Sequence, residues 1–264
     1  MTRHTDEAKV MDFETIRSHW DGAAARYDSD LPTRHTVTPG LTAASRRAWE
    51  LQVRRLVGPP PAHVLDVGTG TGLLALMLAS LSYRVTAVDA AAAMVETTAR
   101  KAAAAGLTVE VHEARAERLP FGDGVFDAVI NRIVFWMMLD PEATVREWRR
   151  CTRAGGRITV IDCQHGDIGL DRIDRARRWL CGLLNGRPAV GSLFHVQQMA
   201  QLPLWGSDIT RSYPNVFSRA GLIDIRVEEL AGIRHFERHE RAQRYRLGPA
   251  RPLYLIEGTV PAGP

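Results

Sequence analysis

From residue 63 onward, short apolar runs alternate with longer segments whose apolar residues recur every three or four positions. The short runs predict five strands, HVLDVG, RVTAVD, TVEVHE, FDAVINR and RITVID. The segments after the first, second and fourth of these strands predict helices, and the last of these helices has Pro141 in its first turn. Strands that alternate with helices predict an α/β fold, a doubly wound and mostly parallel sheet that binds ligands beyond the carboxyl ends of its strands.

The pattern changes before residue 59 and after residue 162, which divides the chain into four predicted parts. Residues 1–58 contain two segments with helical spacing and form an N-terminal helical cap, and residues 59–162 form the cofactor-binding core. The strand–helix rhythm is lost over residues 163–212, which predict a substrate lid inserted after strand five. It returns over residues 213–264, where PNVFSRAGL predicts a helix and IDIRVEEL and PLYLIEGTV predict the last two strands.

Composition narrows the classes of protein that need to be considered. The formal charge of +4 is spread along the chain without clusters of basic and aromatic residues, so a nucleic-acid partner is disfavoured. Three cysteines without CxxC spacing argue against disulfides and a structural zinc site, and no metal is predicted. The start of the chain is polar, and no run approaches the roughly 20 apolar residues of a membrane span. We therefore expect a soluble, cytoplasmic protein with no membrane partner, as a monomer or homodimer.

The stretch HVLDVGTGTG, residues 63–72, predicts a ligand-binding turn between a strand and a helix. Leu73 occupies the place of the third glycine in a dinucleotide fingerprint, and no Gly-Lys-Ser/Thr follows, so neither phosphate-binding motif is complete. Asp66 would repel a pyrophosphate and attract an ammonium group. Asp89, at the end of the second strand, is placed to take both hydroxyls of a ribose. A nucleoside without phosphates and with an amine-bearing tail fits, which describes S-adenosyl-L-methionine and its product S-adenosyl-L-homocysteine.

Several stretches resemble the motifs of class I S-adenosylmethionine-dependent methyltransferases with a Rossmann-like fold. They are VLDVGTGTG, VTAVDAAAAM, ARAERLPFGDGVFDAVINRIVFWMMLDPEATVRE and TRAGGRITVID, and the resemblance is to the small-molecule branch that includes ubiquinone and menaquinone methylases. It extends from about Trp20 to the last strand and implies a seven-stranded sheet whose last strand is antiparallel. The implied cofactor-binding residues are Tyr27, Asp66, Gly68, Thr69, Gly70, Gly72, Asp89, Ala90, Met94, Arg115, Ala116, Glu117 and Asn131.

The chain departs from the family pattern at two places. Arg115 stands where the family commonly has an aspartate for the adenine amine, and an arginine side chain has only donors, so the backbone at Ala116 and Glu117 is the expected acceptor. Trp136 and Met137 replace a pair of histidines, which makes that wall of the expected pocket apolar. An apolar wall and a lid predict a small, apolar or aromatic acceptor, with Trp20, Trp136 and Trp205 as substrate-binding residues.

Methyl transfer needs the acceptor atom, the methyl carbon and the sulfur in line, and needs a base only if the acceptor must lose a proton early. The candidate catalytic residues are His165, which follows the fifth strand, and His195 in the predicted lid, and each could equally be a structural histidine. The sequence therefore favours a methyltransferase acting on oxygen, nitrogen or carbon of a small molecule, with secondary metabolite biosynthesis as one hypothesis. An RNA or protein methyltransferase and a non-catalytic cofactor-binding protein stay open as alternatives.

Overall fold

A computed structural model of the chain describes residues 11–30, 43–165, 196–233 and 252–262. Seven strands form one sheet with the spatial order β3-β2-β1-β4-β5-β7-β6. Their bounds are β1 His63–Val67, β2 Arg84–Asp89, β3 Glu110–Glu113, β4 Phe126–Arg132, β5 Thr152–Cys163, β6 Ile223–Glu229 and β7 Leu253–Thr259.

The described helices pack on both faces of this sheet or cover its carboxyl edge. They are α1 Phe13–Asp30, α2 Ala43–Val57, α3 Leu73–Ser80, α4 Ala92–Ala104, α5 Pro141–Cys151, α6 Val196–Met199 and α7 Ile209–Arg219, with a short 3-10 helix at Phe135–Met137. Among these helices, none is both long enough and apolar enough to cross a bilayer.

Strand pairing is parallel from β3 through β5, and β7 runs antiparallel to both of its neighbours, β5 and β6. The predicted doubly wound, mostly parallel seven-stranded sheet is therefore confirmed, including its antiparallel last strand. The chain order of the strands reverses between β1 and β4, and in open α/β sheets this is the point where a crevice opens beyond the carboxyl ends of the strands.

Each face of the sheet carries its own hydrophobic core. On one face, Trp148 of α5 and Phe217 of α7 pack with the central strands and are fully buried. On the other face, Trp49 of α2 and Leu78 of α3 do the same. Since both faces of the sheet are covered, the buried side chains of the central strands are mostly apolar, and these apolar runs are the pattern from which the strands were predicted. The two cores fix the strand ends, and with them the position of the glycine turn.

Two elements begin earlier than the sequence pattern predicts. Strand β5 starts at Thr152, because Gly155 has a φ of 72° and Gly156 lies close to the Thr152 side chain, and these two glycines carry the chain through a register shift against β4. Helix α7 starts at Ile209, because the Asp208 carboxylate accepts a hydrogen bond from the Thr210 amide and caps it. The predicted helix DRIDRARRWLCGLLNG and most of the predicted lid lie outside the described residues, so the four-part division stays a prediction.

Candidate cofactor-binding site

A cleft opens at the carboxyl edge of the sheet, between the ends of β1, β2 and β4 on one side and helix α1 on the other. Most of the residues predicted to bind the cofactor line it, and so does one of the predicted substrate-binding residues. These residues are Trp20, Tyr27, Asp66, Gly68, Thr69, Gly70, Asp89, Ala90, Met94, Ala116 and Glu117. The residues predicted from the sequence thus include many of those that line the cleft, but not all of them.

The turn after β1 needs glycine for reasons of backbone angle and space. Gly68, Gly70 and Gly72 have φ values of 69°, 56° and 90°, in the left-handed region. A Cβ on Gly68 would lie 2.8 Å from both methyl groups of Val134. Gly72 is the N-cap of α3 and lies against Thr98, and it is not among the cleft-lining residues. The segment after β4 therefore lies directly against the turn, and a side chain at Gly68 would displace it.

Asp66, at the end of β1, is a buried carboxyl that lines the cleft. It is 2% exposed and accepts hydrogen bonds from the Thr69 hydroxyl at 2.7 Å and from the Ala75 amide at 3.1 Å. Burial raises the pKa of Asp66 to about 7, although these two hydrogen bonds oppose the rise. The carboxyl is consequently poised between its neutral and charged forms near neutral pH, and a cation bound beside it would favour the charged form.

Asp89, at the end of β2, is held by two backbone amides that fix its orientation. One carboxylate oxygen accepts from the Gly70 amide at 2.8 Å, and the other accepts from the Ala91 amide at 3.0 Å. Burial raises its pKa, and the amides oppose the rise. Each carboxylate oxygen has a further lone pair available, so the fixed carboxylate can accept from two neighbouring donors of a ligand.

Helix α1 forms the side of the cleft opposite the strand ends. Phe13, Ile16, Trp20 and Tyr27 line the cleft from this helix. Phe13 and Ile16 are not among the site residues predicted from the sequence. Their shared helical face with Trp20 was the available signal, but a periodic pattern shows only that a face is apolar and does not show what that face covers.

Besides Gly72, two predicted cofactor-binding residues lie beside the cleft, outside the residues that line it. Asn131 is fully buried at the end of β4, and its Nδ2 donates to the Val67 carbonyl at 2.7 Å, which supports the strand that leads into the glycine turn. The Arg115 guanidinium lies 4.0 Å from the centroid of the Phe13 ring and 3.5 Å from a Glu117 carboxylate oxygen. Both residues contact parts of the chain that do line the cleft.

The predicted acceptor residues Trp136 and Trp205 form an aromatic cluster with His165, and neither is among the described residues that line the cleft. The Trp136 and His165 rings stack at 4.5 Å, and the Trp205 ring lies 5.3 Å from the Trp136 ring. Trp136 is buried, whereas its neighbour Met137 lines the cleft. The two residues point in different directions because they follow each other in a tight 3-10 turn.

His165 is tied into a buried polar network at the end of β5. Its Nε2 lies 2.8 Å from Oδ1 of Asp162, whose Oδ2 accepts from the Tyr213 hydroxyl at 2.9 Å. The Cys163 sulfur lies 3.8 Å from the same Nε2. Burial lowers the pKa of His165, but the charge of Asp162 and the nearby Cys163 outweigh it and raise the pKa to about 10. His165 is therefore an imidazolium at neutral pH, and an imidazolium cannot accept a proton. The second histidine candidate, His195, lies outside the described residues.

Comparison with known proteins shows which of them are similar to this chain. Residues 65–160 match the family model described as a methyltransferase domain. A demethylmenaquinone methyltransferase from Mycolicibacterium gilvum is 36% identical over 156 residues, which are 59% of this chain and 63% of that protein. The chain spans between about half and 63% of the length of curated relatives that it matches.

Two solved structures have the same fold over nearly the whole chain. The [4+2]-cyclase SpnF aligns with 97% of this chain and 99% of its own, with a TM-score of 0.62 and 20% identity. A phosphoethanolamine N-methyltransferase from Haemonchus contortus, in complex with S-adenosylhomocysteine, aligns with 96% of this chain and 61% of its own, with a TM-score of 0.66 and 17% identity. At these identities the likeness establishes the fold. The chain therefore contains a methyltransferase domain at residues 65–160, within a fold that it shares with these two solved structures.

Proposed function

We propose that the protein transfers a methyl group from S-adenosylmethionine to oxygen, nitrogen or carbon of a small apolar or aromatic molecule. The observation that carries this proposal is the turn at Gly68–Gly72 followed by the fixed carboxylate of Asp89, both placed at the carboxyl edge of a methyltransferase-type sheet. The match to demethylmenaquinone methyltransferases, whose name denotes a quinone acceptor, supports an aromatic acceptor for this chain.

The charges of the cleft suit a cationic ligand. The side chains of Asp66, Asp89 and Glu117 line it, and among the described lining residues Arg132 is the only basic one. S-adenosylmethionine carries a sulfonium and an ammonium group against a single carboxylate, so its net charge is complementary to that of the cleft. A pyrophosphate would bring negative charge next to these carboxylates, which disfavours a dinucleotide.

In the proposed complex, each part of the cleft has a separate task. Asp89 accepts from the two ribose hydroxyls, Asp66 faces the ammonium end, and Met94 and the backbone at Ala116 and Glu117 contain the adenine. When bound, S-adenosylmethionine supplies a methyl group on a good leaving group. The protein then has to align the acceptor with that methyl group and exclude water, and alignment alone contributes up to roughly 7 to 11 kcal/mol.

The side of the cleft next to the glycine turn suits an apolar acceptor. Val134, Met137, Met138 and Leu139, from the segment that follows β4, line it together with Trp20 of α1. Because Val134 lies directly against Gly68, this apolar surface is adjacent to the turn that would hold the cofactor. In this arrangement the aromatic cluster of Trp136, His165 and Trp205 supports the acceptor wall from behind. Because His165 is charged at neutral pH, the described residues include neither of the two predicted bases in a form that accepts a proton, which favours acceptors that need no protein base.

The proposal is tested by calorimetry with S-adenosylhomocysteine and by methyl transfer from labelled S-adenosylmethionine to a panel of phenols, quinols, amines and aromatic carbon acids. We expect binding in the micromolar range and turnover of at least one aromatic class. Binding without turnover over the whole panel would favour a non-catalytic cofactor-binding protein. Turnover of transfer RNA or of a protein, with none of the small molecules, would contradict the proposed acceptor class.

Protonation of Asp66 predicts that cofactor binding releases protons. With a pKa of about 7, the carboxyl is half protonated at pH 7, and an ammonium group beside it favours the charged form, so binding should release up to about half a proton. Affinity should accordingly rise from pH 6 to pH 7.5. Calorimetry in two buffers of different ionisation enthalpy measures the release, and Asp66→Asn, which cannot lose a proton, is the matched control. Equal proton release by wild type and Asp66→Asn would contradict this assignment.

A further inference from the structure

The first turn of α1 and the loop that follows β3 meet at one end of the cleft. Phe13 lines the cleft from the helix, and Ala114, Ala116 and Glu117 line it from the loop. In the function proposed above, this is the end that contains the adenine, because the loop follows the strand next to Asp89 in the sheet. The contacts between α1 and the loop after β3 should therefore affect the affinity for the adenosyl group.

Arg115 contacts both elements at this junction. Its guanidinium lies 4.0 Å from the centroid of the Phe13 ring, and one of its nitrogens lies 3.5 Å from a carboxylate oxygen of Glu117. The Arg115 carbonyl accepts from the Arg118 amide at 3.1 Å. The loop is therefore closed by a turn, which fixes the backbone from which the Arg115 side chain extends. Arginine stays charged at all physiological pH values, and its planar guanidinium can stack on a ring while it pairs with a carboxylate.

Three contacts of α1 and of the residues just before it lead to other parts of the molecule. The Ala93 amide, at the start of α4, donates to the Asp21 carboxylate at 3.0 Å. Just ahead of α1, the Met11 amide donates to the Gln201 side chain at 3.0 Å, and the Trp20 indole faces the Met137 sulfur at 3.4 Å. These contacts fix the middle of the helix and the segment before it. The stacked pair of Arg115 and Phe13 joins the first turn to the loop after β3.

We propose that Arg115 is a positioning residue that fastens the first turn of α1 over the adenosyl end of the cleft and orients Glu117 beside it. This inference rests on the proposed function, because the adenosyl group is the ligand enclosed there. It also gives a role to the arginine that stands where the family commonly has an aspartate. Arg115 acts through Phe13 and Glu117 and needs no contact with the ligand.

A double-mutant cycle measured with S-adenosylhomocysteine tests the proposal. Arg115→Gln removes the charge, and Phe13→Leu removes the ring but keeps an apolar side chain. Half of the Arg115 side chain is exposed, so Arg115→Gln should weaken binding about threefold. In a protein that already carries Phe13→Leu, Arg115→Gln should weaken binding by a further factor of less than about 1.5, because the contact between the guanidinium and the Phe13 ring is already lost. Arg118→Gln, with the same change of charge in the same turn, is the control and should leave the affinity unchanged.

Hydrogen exchange of the ligand-free protein gives a second readout that does not require the ligand. The peptide that covers residues 13–20 should exchange at least about threefold faster in Arg115→Gln than in wild type or Arg118→Gln, while the central strands exchange equally in all three. The proposal would be overturned if residues 13–20 exchange at the same rate in Arg115→Gln as in wild type. It would also be overturned if the losses of affinity in the two single variants multiply in the double variant. If wild type itself fails to bind S-adenosylhomocysteine, the proposed function fails, whereas the exchange experiment still reports on the contact itself.

Discussion

Asp89→Ala should weaken binding of S-adenosylhomocysteine by at least about 100-fold, to the point where calorimetry detects no binding. The Asp89 carboxylate is buried and fixed by the Gly70 and Ala91 amides, so it is oriented before any ligand arrives. A hydrogen bond to a charged group contributes roughly 1.5 to 3 kcal/mol, and two ribose hydroxyls would make two such bonds. Together they amount to at least two orders of magnitude in affinity.

Two further variants separate the ribose role from a general effect of removing charge or of disturbing the fold. Glu113→Ala removes an exposed carboxylate at the end of the adjacent strand β3, outside the cleft lining, and should leave the affinity within about twofold of wild type. Asp89→Asn keeps the size of the side chain but replaces one acceptor with a donor, and should give an intermediate affinity. An Asp89→Ala protein that stays folded by circular dichroism and binds within threefold of wild type would refute the assignment.

The central part of the fold could be predicted from the sequence because each strand there is covered on both faces. Such strands read as short apolar runs, and the helices between them keep a 3.6-residue period, so both their type and their order could be predicted. The glycine turn and Asp89 could be predicted as well, since a left-handed backbone and a strand-end carboxylate leave a local signature in the sequence. The starts of β5 and α7 could not, because they depend on a register shift and on a cap formed after the chain has folded.

The surroundings of the cleft were harder to predict, since they depend on the direction in which adjacent side chains point. A motif comparison placed Trp136 and Met137 together in the acceptor wall. In the structure the 3-10 turn directs Met137 into the cleft and Trp136 onto His165. Likewise, the spacing of α1 showed an apolar face without showing that Phe13 would lie under Arg115. Contacts between elements distant in sequence leave no periodic signal, and those contacts decide which side chain faces the ligand.

His165→Gln should destabilise the protein by about 3 to 5 kcal/mol at pH 6.5, and much less at pH 9.5. Asp162 is completely buried and the His165 side chain is 13% exposed, and removing one member of such an ion pair leaves the buried charge of the other uncompensated. The pKa of His165 is raised from 6.5 to about 10, so the stabilisation from its proton is complete below pH 6.5 and is lost as the pH rises toward 10. Over that interval the loss is about 1.4 kcal/mol per pH unit.

Urea unfolding followed by circular dichroism at pH 6.5, 8 and 9.5 measures this difference between wild type and variant. His112→Gln is the matched control, because His112 also lies 2.8 Å from a carboxylate, that of Glu110, but on the protein surface, where an ion pair contributes less than about 1 kcal/mol. A catalytic base at position 165 predicts the opposite pattern, with kcat lowered at least about 100-fold and a stability difference that does not change with pH. A group that is already protonated at neutral pH cannot take up a further proton, so we expect the stability difference between wild type and His165→Gln to shrink as the pH rises. A constant difference across the three pH values would show that His165 is not the buried cation described here.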